Sequence, residues 1–428
     1  MSRIHAFSMT ALAGAVLLAS GQSLAGGLSL NEQSASGLGT AYAGRGSSAL
    51  DASTVYGNPA GMSRLDRAQI SGGAVVLFPN ISIKNATGEA PGTNDGDMVP
   101  TSTIPFGYYV TPISDRWHFG LGVYAPFGGH TDYEDSFQGR YQGLETEVRV
   151  ITVQPTISYQ IHDWLSAGVG VTVNRIDGTL RNNLLTTPFG GTEDALLRST
   201  GDDYGYGYNL GIMAEFVEGT TFGLTYYSKV EYTLEGHTTL SGMPAAAGPA
   251  TGLVDGRYDS TLDFTTPEHI GASISHELND RWTVHGGAVW TRWSRVESII
   301  IDNSGAPPGG ALEQLEEDVR FRDTLGVSLG ASYQLNPQWL LRAGVALDEA
   351  PTSNEDRTVR APYGYRKVVS LGAGWSPTPD FTVDVGYAYL WENDAPVEQD
   401  NPTGLRPAYS ATFDTDVHGL GAQLTYRF

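Results

Sequence analysis

Two histidine and carboxylate pairs are the residues of this chain whose types and spacing could support catalysis. His162 and Asp163 are adjacent, and His130 stands two positions before Asp132. A hydrolase would need a serine, a histidine and an acid, or a histidine and an aspartate, within mutual reach, and no nucleophile signature lies near either pair. The chain contains no cysteine and no phosphate-binding loop or dinucleotide fingerprint. We therefore predict no enzyme, no catalytic residue, no cofactor and no metal site, and a hydrolase is the weakest alternative.

The composition and charge point to strands rather than to several soluble domains. The chain has 54 glycines, 22 tyrosines and a formal net charge of −22. A nucleic-acid partner is excluded because phosphate binding needs a basic face. After the first 25 residues, no run approaches the roughly 20 apolar residues that a helical membrane span requires. A transmembrane β-barrel fits this profile, since its strands alternate apolar and polar residues.

The first 25 residues have the layout of a secretory signal peptide. Arg3 and His5 give a weakly basic start, residues 9–19 form an apolar core, and residues 23–25 are suitable for cleavage. The apolar run is too short to cross a bilayer as a helix. We predict that residues 1–25 are a signal peptide and that the mature chain begins at Gly26.

Several long stretches alternate with a period of two. Val169, Val171 and Val173 share one face, whereas Thr172 and Asn174 lie on the other. The same alternation is present in two further stretches, 339–348 and 420–428. A soluble β-sandwich has the same period, but the length of these strands and the mixed second face favour a transmembrane barrel.

Short polar junctions followed by an aromatic residue predict six tight turns. Six hairpins, with one strand before them at 69–82 and one after them at 415–428, give about fourteen antiparallel strands. Short turns are expected on the periplasmic side, and longer connections such as 178–203 and 234–258 on the external side. The six junctions are 113–117, 161–164, 217–222, 278–282, 335–339 and 376–381.

Residues 26–61 fit neither the signal peptide nor the strands. They are rich in Gly, Ala and Ser, so they must pack inside another structure or stay disordered. Apolar residues such as Leu30 and Tyr42 favour packing, and a short helix over 47–56 would end at Asn58 and Pro59. We predict a hatch (residues 26–66) inside the lumen of a barrel (residues 67–428).

Four short segments near the mature N-terminus carry a resemblance to a known family. They are 29–32, 36–39, 41–44 and 58–61, which include the hatch residues Asn58, Pro59 and Ala60. In these segments the chain resembles the FadL family of outer-membrane transporters for long-chain fatty acids and other hydrophobic compounds. Weaker similarity continues through 288–294 and 321–323, and the terminal Phe428 matches the ending common to bacterial outer-membrane barrels. The resemblance implies a Gram-negative outer-membrane location, a fourteen-stranded barrel with a hatch, and contact with outer-membrane lipid and lipopolysaccharide.

The resemblance also implies a lateral gate, formed by a kink in the third strand. Here that strand is expected over 118–124, followed by Ala125 and the gate residues Pro126, Phe127, Gly128 and Gly129. Proline lacks a ladder donor and glycine weakens a strand, so pairing is expected to fail there. The alternative is that the strand simply ends at this point and a loop begins.

Basic residues hold the ligand head group in the family, and the resemblance implies Arg181 near one such inward position. At the second position the acidic Glu317 replaces a base, with Arg320 and Arg322 close by. Each arginine could equally pair with carboxylates of the wall. Leu28 matches a ligand-contacting position. The expected function is passive uptake of long-chain fatty acids or similar hydrophobic molecules. Uncharged hydrocarbons are the alternative cargo, and a general diffusion porin is a lesser alternative because it would have no hatch.

Overall fold

The computed structural model describes residues 28–400 and 404–428 of the chain. The predicted signal peptide and the first two hatch residues, 26 and 27, lie outside this part. Among the described residues, no helix has the length and hydropathy needed to cross a bilayer. The helices are α1 (Ala35–Leu38), α2 (Thr54–Gly57) and α3 (Gly248–Thr251), with 3-10 helices at Pro59–Arg64, Thr187–Phe189, Ala245–Ala247 and Trp293–Arg295.

The described residues contain nineteen strand segments, which all belong to one sheet. In chain order they are β1 (Gln69–Gly88), β2 (Ser102–Pro112), β3 (Trp117–Asp132), β4 (Glu145–His162), β5 (Leu165–Leu184), β6 (Ala195–Val217), β7 (Thr220–Tyr227), β8 (Val230–Ser241), β9 (Gly256–Thr266), β10 (His269–Glu277), β11 (Trp282–Thr291), β12 (Ser298–Ser304), β13 (Gln314–Asp318), β14 (Thr324–Asn336), β15 (Trp339–Asp348), β16 (Arg366–Thr378), β17 (Phe381–Glu392), β18 (Ala395–Gln399) and β19 (Tyr409–Arg427).

The sheet closes into a barrel because β1 pairs with both β2 and β19. Some barrel strands are interrupted, so that two consecutive segments lie end to end against one neighbour. β7 and β8 both pair with β6, and β17 and β18 both pair with β19. In the same way β10 pairs with β7, and β9 pairs with β8. The next barrel strand consists of β11 and β12 end to end, and the one after it of β14 and β13. The segments therefore form the closed barrel of 14 antiparallel strands that the sequence predicts.

The two faces of the strands have the polarity expected for a membrane barrel. On β5, Val169, Val171 and Val173 are among the exposed apolar side chains, whereas Thr172 and Asn174 are buried. The apolar residues thus face outward, where lipid would cover them, and the polar residues face the lumen. This arrangement confirms the barrel interpretation of the alternation.

All six predicted short turns are present, and aromatic residues form a belt beside them. Trp282 packs against Tyr333 on the neighbouring strand with ring centroids 4.7 Å apart, and Trp117 packs against Tyr159 at 4.6 Å, with both pairs of rings tilted. Trp and Tyr at this level are typical of a membrane–water interface. We call this end of the barrel the turn end and the opposite end the loop end.

At the loop end the strands extend further than predicted. The sequence assigned 178–203 and 234–258 to loops, but β5 continues to Leu184 and β8 to Ser241. The outward side chains there are charged rather than apolar. Arg175, for example, pairs with Asp177 and Asp202 at 3.2 and 3.4 Å. The apolar period is therefore lost although the hydrogen-bonded ladder continues.

Residues 28–66, called the N-terminal segment below, lie against the inward face of the barrel. Gln154 on β4 donates to the carbonyl oxygen of Val55 at 2.8 Å, and Gln423 on β19 donates to Asp51 at 2.9 Å. The lumenal polar side chains of the wall thus satisfy the backbone and acidic groups of this segment.

Glycines in the wall allow the segment to approach closely. A Cβ atom on Gly223 would lie only 1.9 Å from the carbonyl oxygen of Gly46. The predicted helix over 47–56 is wrong: α2 spans only Thr54–Gly57, and Asn58 caps it in an extended conformation. Contacts with the wall, rather than helix propensity, determine this backbone.

Candidate functional site

Asn58, Pro59 and Ala60 anchor the N-terminal segment near the turn end. The Asn58 side chain is fully buried, and its amide donates to the carbonyl oxygens of Gly46 (2.7 Å) and Ile212 (3.0 Å). Its side-chain oxygen accepts from the Ala60 amide at 3.0 Å, and Pro59 begins the following 3-10 helix. One side chain therefore joins two parts of the segment to β6.

The barrel wall is incompletely paired between β2 and β3. β2 pairs with β3 only as far as Val123, although β3 continues to Asp132. The pairing of β3 with β4 shifts register between Tyr124 and Phe127 and then resumes. The predicted gate residues 126–129 therefore lie inside a continuous strand, and the alternative of a loop beginning there is wrong. Pairing is lost beyond Val123 on the β2 side, whereas on the β4 side it is interrupted only at Ala125 and Pro126.

The first described residues of the N-terminal segment occupy this free edge of β3. The Leu30 amide donates to the carbonyl oxygen of Pro126 at 2.9 Å, and the Gly128 amide donates to that of Leu28 at 2.8 Å. Ser29 forms an antiparallel bridge with Phe127. Residues 28–30 thus take the place of β2 beside the part of β3 that is nearer the loop end.

A cavity of about 100 Å³ lies on the loop side of this contact. Leu28 lines it together with apolar side chains of the wall, which include Val148, Ile176, Leu234, Val319 and Phe321. We call it the loop-side cavity. The resemblance implied that Leu28 contacts the ligand, and in the structure Leu28 lines a lumenal cavity.

Arg360 is the buried cation of the loop-side cavity, and the sequence reasoning missed it. It donates to Glu317 (3.1 Å), to the Thr146 hydroxyl (3.0 Å) and to Asn182 (3.1 Å). It belongs to the connection between β15 and β16, which has no periodic pattern that could place it. The only signal in the sequence was the acidic residue Glu317, which pairs with Arg360 in the structure.

Arg181 does not face either cavity, which differs from the inward position that the resemblance implied. Its neighbours Leu180 and Asn182 face the lumen, so alternation along β5 turns Arg181 to the outer face. There it pairs with Asp132 (3.1 Å) and Glu145 (3.2 Å).

Arg320 and Arg322 also do not line either cavity, although their neighbours Val319 and Phe321 line the loop-side cavity. The Arg320 side chain is 66% exposed and pairs with Asp318 at 2.7 Å. Arg322 is exposed as well, and its backbone amide donates to the carbonyl oxygen of Pro351. Of the four predicted ligand residues, the structure therefore places only Leu28 beside a cavity.

A second cavity, of about 170 Å³, lies between the N-terminal segment and the wall. We call it the central cavity. Pro126 and Phe127 line it, so the unpaired edge of β3 borders directly on it. Its charged lining includes Arg366, which is paired with Glu392 at 2.7 Å, and Arg45, the one charged residue in the small-residue run 43–49.

One group of side chains among the described residues has the composition of a metal site. His130, Glu145 and Glu147 each offer a ligand atom, and these atoms lie within 4.8 Å of one another. Glu145 is already paired with Arg181. Glu147 also belongs to the lining of the loop-side cavity.

Comparison with known protein families identifies one family. The model described as "Outer membrane protein transport protein (OMPP1/FadL/TodX)" matches residues 16–428 of the chain.

Individual relatives extend over most of the chain. The long-chain fatty acid transport protein of Escherichia coli O6:H1 is 28% identical over 418 residues, covering 91% of this chain and 92% of the relative. Outer membrane protein P1 of Haemophilus influenzae is 32% identical over 426 residues, covering 90% of each. A crystal structure of a Pseudomonas aeruginosa FadL homologue superposes with a TM-score of 0.83 at 25% identity, covering 94% of this chain and 100% of that one.

Proposed function

The chain belongs to the OMPP1/FadL/TodX family of outer membrane transport proteins, and from this premise we propose that it takes up long-chain fatty acids or similar hydrophobic molecules. Uptake is passive, and the N-terminal segment acts as a hatch that closes the barrel. The substrate leaves the lumen sideways through the gap between β2 and β3.

The observation that carries this proposal is the order of the cavities along the lumen. Leu28 lines the loop-side cavity and the next residue, Ser29, lines the central cavity, which extends to Pro126 and Phe127 at the gap. An apolar molecule that enters from the loop end therefore meets two lumenal sites before the lateral opening. Each buried methylene contributes about 0.8 kcal/mol, so partitioning alone can drive entry.

The contact of residues 28–30 with β3 is weak enough to act as a gate. It rests on two backbone hydrogen bonds, Leu30 to Pro126 and Gly128 to Leu28. Each contributes about 1 kcal/mol net. Displacement of residues 28–30 therefore costs about 2 kcal/mol in hydrogen bonds, in addition to the free energy of their side-chain packing. A ligand that binds better to the open state can supply a difference of that size.

Uptake by a transporter-deficient Gram-negative strain tests this function. Cells that express the chain are compared with cells carrying the empty vector, using labelled oleate and labelled hexadecane in parallel. We expect oleate to accumulate several-fold faster in the expressing cells. Equal accumulation of both labels in both strains would overturn the proposed function.

Uncharged hydrocarbons are the second candidate cargo, and the loop-side cavity favours them. Its buried cation, Arg360, is already neutralised by Glu317 at 3.1 Å. A carboxylate bound there would have to displace Glu317, whereas an alkane or aromatic molecule would need only the apolar lining. Faster uptake of hexadecane than of oleate would support this candidate.

The proposed orientation places the turn end in the periplasm and the loop end outside the cell. The outer face at the loop end then lies beside the lipopolysaccharide head groups. Its ion pairs, such as Arg149 with Asp177 and Arg181 with Glu145, suit that polar layer.

A further inference from the structure

Four residues of the N-terminal segment separate the central cavity from a smaller pocket on its turn side. Tyr42, Arg45, Tyr56 and Gly57 line both spaces. The turn-side pocket, which His285 also lines, is otherwise bounded by the segment itself. These four residues are therefore a partition at the floor of the central cavity, and Arg45 is its only charged member.

Arg45 is the cation of this partition, and uncharged groups hold its side chain. Its guanidinium donates to the backbone oxygen of Asn31 at 2.6 Å and to the Asn31 side chain at 3.3 Å, and it lies 4.3 Å above the ring of Tyr42. No ion pair to it occurs among the described residues. The other cavity-lining arginines differ, since Arg360 pairs with Glu317 and Arg366 with Glu392.

Glu32 provides a second, independent sign of a missing ligand. Its side chain lines the same central cavity and is only 8% exposed. The Oε2 atom is buried and has no hydrogen-bond partner among the described residues. Burial raises the pKa of this carboxyl, although the charges of Arg366 and Arg45 oppose the shift. A protonated carboxyl can donate a hydrogen bond to an incoming oxygen.

We propose that Arg45 and Glu32 form a carboxylate-binding site at the floor of the central cavity. The inference rests on the proposed function and narrows the cargo to molecules with an apolar tail and a carboxylate head. Arg45 retains unused donors of its five N–H groups and can form charge-assisted bonds to the head group. The tail lies along apolar side chains of the same cavity, such as Leu38, Val327 and Leu390.

Because Arg45 belongs to the partition rather than to the barrel wall, the site is connected to the residues at the lateral gap. A head group on Arg45 shares the guanidinium with the Asn31 backbone oxygen, which Arg45 binds at 2.6 Å. Asn31 directly follows Leu30, which is bonded to the free edge of β3. Binding of the head group therefore acts on residues 28–30, which close the lateral gap.

The test compares a charged ligand with its neutral ester. Binding of labelled oleate and labelled methyl oleate is measured with the mature protein in lipid nanodiscs, for the wild type, Arg45→Met and Arg45→Lys. Arg175→Met is the matched control, because Arg175 lies on the outer face and pairs with Asp177 and Asp202. Circular dichroism verifies that each variant keeps its strand content.

We expect Arg45→Met to weaken oleate binding about tenfold to hundredfold, the range for losing hydrogen bonds to a charged group. Methyl oleate binding stays unchanged, Arg45→Lys falls between the two, and Arg175→Met matches the wild type. An equal loss for oleate and methyl oleate would make Arg45 a structural residue and overturn the inference. Wild-type protein that binds both ligands equally would overturn the site but leave hydrophobic uptake standing. Protein that binds neither ligand would contradict both proposals.

Discussion

Replacement of Asn58 by alanine is expected to loosen the N-terminal segment without unfolding the barrel. The buried Asn58 side chain makes three hydrogen bonds, to Gly46, Ile212 and Ala60. Gly46 and Ala60 belong to the segment itself, so only the bond to Ile212 joins it to the wall. A net contribution of about 1 kcal/mol for that bond is roughly a fivefold shift toward the detached segment. The barrel itself keeps its backbone ladder, so its strand content should not change.

Single-channel conductance in planar bilayers measures this shift. Wild-type protein should conduct little, whereas Asn58→Ala should show open events about fivefold more often. Asn80→Ala is the control, since Asn80 forms an exposed hydrogen bond to Asp416 on neighbouring strands. An Asn58→Ala trace indistinguishable from the wild type would refute the idea that this residue anchors a plug. Large steady conductance of the wild type would instead favour the diffusion porin.

Three further substitutions test separate parts of the site. Gly223→Val should displace the segment and raise conductance, because a Cβ atom there would lie 1.9 Å from the Gly46 oxygen; an unchanged trace would show that the contact is not needed for closure. Arg181→Met should leave oleate uptake unchanged, since Arg181 pairs with Asp132 and Glu145 on the outer face; a large loss of uptake would return Arg181 to the ligand site. Leu28→Gln should slow oleate uptake about tenfold, because it puts an amide into an apolar cavity at a cost of about 1–3 kcal/mol. Unaltered uptake would show that the loop-side cavity is not on the substrate's path.

The barrel was predictable because its signals are local. Alternation such as that of Val169 to Asn174 assigns the two faces, and short turns followed by an aromatic residue assign one end. The loop-end extensions were not predictable in this way. Charged residues such as Arg175 and Asp177 occupy the outward positions there, so the apolar period stops before the ladder does.

The cavity residues were harder to predict because they depend on contacts distant in sequence. Arg360 reaches the loop-side cavity from a connection without a periodic pattern, and Arg45 stands in a run of small residues. The resemblance selected Arg181, but alternation along β5 turns this residue outward. Side-chain direction follows from strand register, and one residue of difference reverses it.

A reversible cross-link between Ser29 and Phe127 tests most directly whether residues 28–30 close a lateral exit. These residues form an antiparallel bridge, and the chain has no cysteine of its own, so the pair Ser29→Cys and Phe127→Cys can be oxidised selectively. The control pair is Val171→Cys and Tyr208→Cys, which are paired across β5 and β6 on the outer face. We predict that oxidation abolishes oleate uptake only in the variant with the Ser29–Phe127 pair and that reduction restores it. Full uptake through the oxidised Ser29–Phe127 pair would contradict the lateral gate.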